Sequence, residues 1–480
     1  MRKRKQILLL FCFSLFIFGQ AQVSKTINVT TPGTLGTLLT YNELSTITNL
    51  TITGYIDARD FKAMRDSMTV LSTIDLNAVT ISGYNGTKGT DIYGGQIYLA
   101  NTVPQFSFYK GSGIGKTTLT SINLPNTAIS IGMNAFEYCI GLTTITIPNS
   151  ITEIGSATFM QCSALESIKL PNSLTSIENY TFYFCTGLKT IIIPNSVTTI
   201  GESAFQYCSG FADIIIPNSV TSIKKNAFES CTFLKTITVP NSLSYVGDNA
   251  LGNTNLFKDE PDGVIYVGKC AYMYKGGTQI INSNLTIADG TIQICYCAFY
   301  NCSGMSSITI PNTVKSIGYK AFYKCSSLTN ITIPSSVDSI GENAFETCIG
   351  LKSLNVNAVI PPKTTSGAYT FLNVDYKIPL SVPIGSMSAY KTAFGWSVFS
   401  NIQEAPSAID EVSSTTYSIH SQGKNIMVEN ASNLAIQIVD ISGRKVVEVT
   451  KASQNEKLVV QTAGVYVVKV GDKSTKISVK

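Results

Sequence analysis

The feature that most limits what this chain can become is a 23-residue period. Pro125, Pro148, Pro171, Pro194, Pro217 and Pro240 recur at that spacing, as do Cys139, Cys162, Cys185, Cys208 and Cys231. After one interruption the register returns with Pro311 and Pro334, and with Cys302, Cys325 and Cys348. A period of this length calls for a stack of small supersecondary units, because one such unit cannot bury its own apolar face.

One copy, residues 193–215, reads IPNSVTTIGESAFQYCSGFADII. The alternation in Leu142, Ile145 and Ile147 is that of a short strand with both isoleucines on one side. Pro148 carries no backbone donor and ends the strand; Asn149 and Ser150 turn the chain. Ile151 and Ile154 then point inward, and Ala157, Phe159, Cys162 and Leu165 close the coil. Coils stacked ~4.8 Å apart would place equivalent residues in ladders.

The pattern I-P-N-S-V-T-x-I-G-x-x-A-F-x-x-C-x-x-L resembles the BspA-type leucine-rich repeat of bacterial surface proteins, over residues 119–356. The fold expected is mainly β, a leucine-rich-repeat solenoid of 23-residue coils. Ile47, Leu50 and Ile52, then Leu71, Ile74 and Leu76, read as degenerate coils within an N-terminal region, 22–118, that caps the first strand edge. The resemblance implies adhesion to host matrix proteins or to other cells, without naming a ligand.

Composition bears on the two ends. Arg2, Lys3, Arg4 and Lys5, the apolar run from Ile7 to Phe18 and the small residues near Ala21 read as a signal peptide over 1–21, too short to span a membrane comfortably. Taking its four basic residues from 35, against 30 acidic ones, leaves the rest of the chain near +1. An electrostatic case for nucleic acid goes with it. No later stretch reads as a transmembrane helix, so the expected location is secreted or on a bacterial cell surface.

Between Pro240 and Ala288 the period is two residues too long for two coils. Within this irregular stretch (about 252–286), Val264–Val267, Gly268-Lys269 and Cys270–Tyr274 read as a hairpin, either a projection or part of an atypical pair of coils. Residues 357–402, with Pro361, Pro362, Tyr390, Trp396 and Phe399, read as an aromatic end cap, and 403–416 as a linker. About seven short strands in 417–480 suggest a small immunoglobulin-like β-sandwich. Val439–Arg444, Gly464–Lys469 and Lys476–Lys480 resemble a type A sorting domain of type IX secretion. That resemblance implies an encounter with secretion machinery through 417–480.

Candidate chemistry is sparse. A cysteine in each A-F-x-x-C position behaves as a small buried hydrophobe, with Thr254 substituting once. Cys295 and Cys297 are too close for a typical zinc pair, and no metal or cofactor site is expected. Gly111–Thr117 falls one residue short of a phosphate loop and lacks the strand-loop-helix setting. His420, the only histidine, lies outside the repeats, so a histidine-assisted nucleophile has no partner there and no catalytic residue is expected.

What remains is the outward strand face. Its column runs Thr146, Lys169, Ile192, Ile215, Thr238, Thr309 and Thr332, with Asp213 two residues before Ile215. Threonine suits a solvated sheet; Ile192 and Ile215 depart from it in adjacent coils, beside Lys169 and Asp213. Those four residues are the candidate ligand-facing surface, and two extra β-branched residues chosen for strand propensity are the plainer alternative. The expected partner is an extracellular or host protein. A glycan or peptide at the hairpin, or an envelope scaffold with no specific ligand, stays open beside it.

Overall fold

The computed structural model describes residues 22–95, 97–276, 283–405, 418–429, 435–440, 444–450, 455–470 and 473–479. The signal segment, most of the 403–416 linker and the turns at Ser442-Gly443 and Gly471-Asp472 lie outside them. The chain forms two compact units: 1–280, 287–302 and 313–323 make up one, and 281–286, 303–312 and 324–480 the other.

In the first unit, Ser24–Val29, Asn49–Ile56, Thr73–Ile81, Ser121–Asn123 and Thr144–Thr146 form one parallel sheet. Ile52, Leu50, Ile74 and Leu76 fill its inner face and are fully buried. The strand wall continues as two pairs, Ser167–Lys169 with Thr190–Ile192 and Asp213–Ile215 with Thr236–Thr238. A second wall stacks the Ser-Ile step of each coil, with Ser176 opposite Thr199 and Ile177 opposite Ile200, then Thr199 opposite Ser222 and Ile200 opposite Ile223. From Ser121 onward each of these partners is 23 residues away, so the sequence repeat is a spatial repeat.

The third side of each coil is a tight turn. Alternate N–H groups of Tyr180, Phe182 and Phe184 donate to the carbonyls of Glu202, Ala204 and Gln206 in the next coil. Reaching that arrangement puts two non-glycine residues per coil at positive φ, such as Tyr180 (+58°) with Phe184 (+59°) and Asn226 (+55°) with Ser230 (+59°). Left-handed backbone costs an L-residue ~1–2 kcal/mol; the backbone hydrogen bonds it makes possible between coils offset that cost.

Inside, one phenylalanine per coil stacks on the next. The rings of Phe136, Phe159, Phe182, Phe205 and Phe228 are 5.2–5.6 Å apart between centroids and within 11° of parallel. Where a glycine follows the second-wall isoleucine, the coils touch backbone to backbone. A Cβ on Gly201 would lie 2.7 Å from the Asn179 nitrogen, and one on Gly247 would lie 2.4 Å from the Lys225 nitrogen.

The N-terminal end holds structure that the repeat pattern did not disclose: the edge strand Ser24–Val29 and the helices Tyr41–Thr46 and Ala58–Asp66. Asp57 and Asp60 form a capping box on the second helix, and Phe61 and Met64 bury its apolar face. The irregular stretch contains the expected hairpin, Gly263–Val267 with Cys270–Lys275, turning at Gly268 with φ +60°. It is part of the stack rather than a free projection, because Cys270 and Ala271 also pair in parallel with Gln293 and Ile294.

In the second unit, Ser283–Thr286 pairs with Met305–Thr309, and Asn330–Ile333, Ser353–Val356, Leu380–Pro383 and Ile402–Ala405 form a parallel sheet. The last strand runs three residues past the expected end of the cap at 402. Trp396 and Tyr390 are fully buried, donating to the Pro362 and Ala358 carbonyls at 2.8 Å and 2.7 Å. Among the described residues between Ser418 and Val479, seven antiparallel strands follow in sheets of three and four around a core that includes Ile426, Val428, Ile436, Ile438 and Val468.

Candidate interaction surface

The column Thr146, Lys169, Ile192, Ile215, Thr238, Thr309 and Thr332 is exposed at every position, while Ile193 and Ile216 beside it are buried. Alternation along a strand dictates this, since successive side chains point to opposite faces. Ile192 is 83% and Ile215 69% exposed. Lys169 stands directly opposite Ile192 in register, and Asp213 opposite Thr236. One row earlier, the Lys189 ammonium meets the Glu166 carboxylate at 2.7 Å. The four candidate residues therefore share one solvated face across three successive coils.

At this place the strand wall is interrupted. Thr190–Ile192 and Asp213–Ile215 belong to separate two-stranded sheets, and a similar break separates Thr144–Thr146 from Ser167–Lys169. Phe211 fills the slot that Leu188 and Leu234 hold in the flanking coils and meets the Phe205 ring edge-on at 6.1 Å. A groove of about 470 Å³ lined by Asn126, Pro148, Asn149, Ser150 and Lys169 lies at the ends of Thr144–Thr146 and Ser167–Lys169.

The other motifs resolve into packing. Cys162, Cys185, Cys208 and Cys231 are fully buried free thiols, each donating to the carbonyl of a phenylalanine in the coil before: Phe136, Phe159, Phe182 and Phe205, at 2.9–3.2 Å. Burial pushes the Cys185 and Cys231 thiols up to about 12, where almost no nucleophilic thiolate exists near neutral pH. Thr254 breaks the series by bonding to Leu251 in its own coil.

Lys116, the lysine of the phosphate-loop look-alike, is 6% exposed and donates to the Met68 carbonyl at 2.5 Å. Burial lowers its ammonium to about 8. The preceding residues close a tight turn, with Ile114 N–H on Gly111 O and Lys110 N–H on Ile114 O. The N–H groups of Gly113, Ile114 and Lys116 are used within the chain, and the lysine faces inward. His420 sits exposed on the strand Ser418–Gln422.

The structure also brings together residues that sequence reasoning missed. Tyr296 stacks on Tyr319 at 5.3 Å and Tyr300 on Tyr323 at 5.0 Å, with the Lys320 ammonium 5.0 Å from both the Tyr319 and Tyr323 rings. Their signal was available: the tyrosines flank the repeated Ala-Phe step at matching positions in successive coils.

The BspA type leucine rich repeat region, a six-copy family description, matches residues 102–210, 152–279 and 271–403. A leucine rich cell surface protein from Faecalibacterium prausnitzii is 25% identical, covering 74% of this chain and 84% of its own, with a TM-score of 0.33. A leucine-rich repeat protein from Bacteroides ovatus is 25% identical, covering 60% and 92%, with a TM-score of 0.26. The pneumococcal vaccine antigen PcpA is 18% identical, covering 65% and 84%, with a TM-score of 0.30. No curated protein matches the chain.

Proposed function

Because the chain belongs to the BspA-type leucine-rich-repeat family, we propose that it is an exported surface protein that adheres to a host matrix protein or another cell. The binding face is the strand wall around Lys169, Ile192, Asp213 and Ile215. One observation carries this reading: two isoleucines, 83% and 69% exposed, stand in adjacent coils in a column otherwise made of threonine and one lysine. Removing apolar surface from water gains ~25 cal/mol per Å², so a ligand covering both would be favoured where the threonine coils offer little. Lys169 and Asp213 frame the pair with opposite charges, which sets orientation more than affinity.

Export is part of the same reading. Among the described residues, no helix is long and apolar enough to cross a membrane. The C-terminal strands, in orders 1-2-5 and 4-3-6-7 by chain position, support an immunoglobulin-like sandwich, differing from the ABED/CFG arrangement in which sheet takes the fourth strand. We assign 417–480 as the segment read by type IX secretion machinery. Deleting it should trap the protein in the periplasm; unchanged surface display would remove the assignment.

The adhesion test is a titration of the exported chain against immobilised matrix proteins. Saturable binding is expected, weakened at least tenfold by Ile192→Lys with Ile215→Lys, a loss of ~1.4 kcal/mol or more. Unchanged binding would move the site off this face. An absence of saturable binding to any matrix protein, cell or glycan would favour an envelope scaffold.

A further inference from the structure

Tyrosines in the turn wall pair across coils as the core phenylalanines do. Tyr300 lies on Tyr323 with ring centroids 5.0 Å apart and planes 15° from parallel, within the separation that aromatic pairs favour. The backbone fixes this approach. The Asn301 N–H donates to the Tyr323 carbonyl and the Phe299 N–H to the Ala321 carbonyl, both at 2.7 Å. The neighbouring rings of Phe299 and Phe322 stack at 5.3 Å and 2°. Both tyrosines belong to the first compact unit, in successive coils.

Exposure sets this pair apart. Tyr300 is 47% exposed. Among the described residues Tyr41, Tyr55, Tyr93 and Tyr369 are more exposed, but none of them meets another tyrosine ring. The second stack in the same two coils, Tyr296 on Tyr319 at 5.3 Å, is half-buried. Burial pushes the Tyr296 phenol up to about 12, which disfavours loss of its proton. Tyr323 is half-buried, with the Lys320 ammonium 5.0 Å from its ring centroid. A cation held by the electrons of a ring makes it harder to remove one of them. One-electron oxidation therefore starts on Tyr300, and Tyr323 is the ring it reaches next.

We propose that Tyr300 and Tyr323 are an oxidative cross-linking site, joined as dityrosine when the chain meets hydrogen peroxide and a haem peroxidase. The peroxidase takes one electron from Tyr300, whose phenolic proton passes to solvent, leaving a phenoxyl radical. Electron exchange across the stack moves the radical to Tyr323, which gives up its proton as Tyr300 regains one. A second one-electron oxidation of Tyr300, again with loss of its proton, puts a radical on both rings. The carbons ortho to the two oxygens then couple. Each of those carbons releases its hydrogen as a proton and each oxygen takes one up, which restores both phenols. The pair has lost two electrons and two protons, and the peroxide takes up both to become two waters. One carbon–carbon bond ties the coils together. The site does not depend on the adhesion reading.

The test exposes the native full chain, dilute enough that chains rarely meet, to hydrogen peroxide and a haem peroxidase. The monomer is separated in denaturant, digested and mapped by mass. The expected product is a linked Tyr300–Tyr323 peptide pair, lighter by two hydrogens than its two peptides together, with the blue fluorescence of dityrosine. Tyr300→Phe keeps a ring in the stack but has no phenol, so it should abolish the linked pair and most of the monomer's fluorescence. Tyr296→Phe should leave both in place. Monomer without dityrosine, linkage through another tyrosine pair in preference to this one, or undiminished fluorescence in Tyr300→Phe would overturn the proposal.

Discussion

Cys162, Cys185, Cys208 and Cys231 each have one weak donor, and the fold directs it at a carbonyl one coil back. The Phe159 carbonyl, for example, accepts both the Cys162 N–H of its own turn and the Cys185 thiol of the next coil. Cys185→Ala deletes that bond and leaves a small void, and should cost about 1–2 kcal/mol in denaturant unfolding. In native protein the same thiol should resist a disulfide reagent at pH 8 and react only on unfolding, because burial raises it to about 12.

Asp66 supplies a second residue-scale prediction. Burial alone would raise its carboxyl, but hydrogen bonds from Arg65 and Lys62 outweigh that and hold it at about 2. Its folded value is depressed, so the stabilisation is complete above the unfolded value of ~3.9 and is lost as pH falls towards 2. Arg65 also donates to the Thr90, Phe106 and Tyr109 carbonyls, so the pair fixes the N-terminal helix to two loops. Asp66→Asn should lower stability at pH 7 and flatten its dependence on pH between about 4 and 2.

At the scale of the coil, the decisive contact is backbone against backbone. Glycine occupies the slot after the second-wall isoleucine at 155, 201 and 247, while Glu178 and Lys224 hold it in the coils between. Gly201→Ala places a Cβ 2.7 Å from the Glu178 carbonyl carbon and the Asn179 nitrogen, so one coil must shift. A loss of about 1–3 kcal/mol is expected by thermal or urea unfolding; an unchanged midpoint would show that the coils slide freely. The sequence pattern exposed the coil because its apolar residues repeat at fixed offsets. It hid the breaks in the strand wall, because the strands on both sides of each break carry the same alternating pattern. It hid the Gln293 amide, too, since nothing local marks a glutamine whose partner, Val246, lies two coils away in sequence.

For the whole molecule, the stacked coils and the exposed column containing Lys169, Ile192 and Ile215 were legible from Pro, Cys and Ile spacing alone. The capping elements at the N-terminus were not, although Asp57-x-x-Asp60 ahead of Phe61 and Met64 is a helix signature. Repeat logic reads residues against their equivalents, and Ser24–Val29 carries neither the proline nor the cysteine that marks a coil. Chemistry was legible mostly by elimination: Lys116 turns inward to Met68, and the column thiols are protonated donors in the core. Recognition through surface shape is what this construction favours, and the apolar pair at 192 and 215 is where that shape departs from its own repeat.

The account is tested most directly by equilibrium binding of the exported chain to a panel of extracellular matrix proteins, with and without Ile192→Lys and Ile215→Lys together. It predicts saturable binding to at least one member, lowered tenfold or more by the double substitution while the thermal midpoint stays unchanged. Binding of equal strength by both proteins would contradict it.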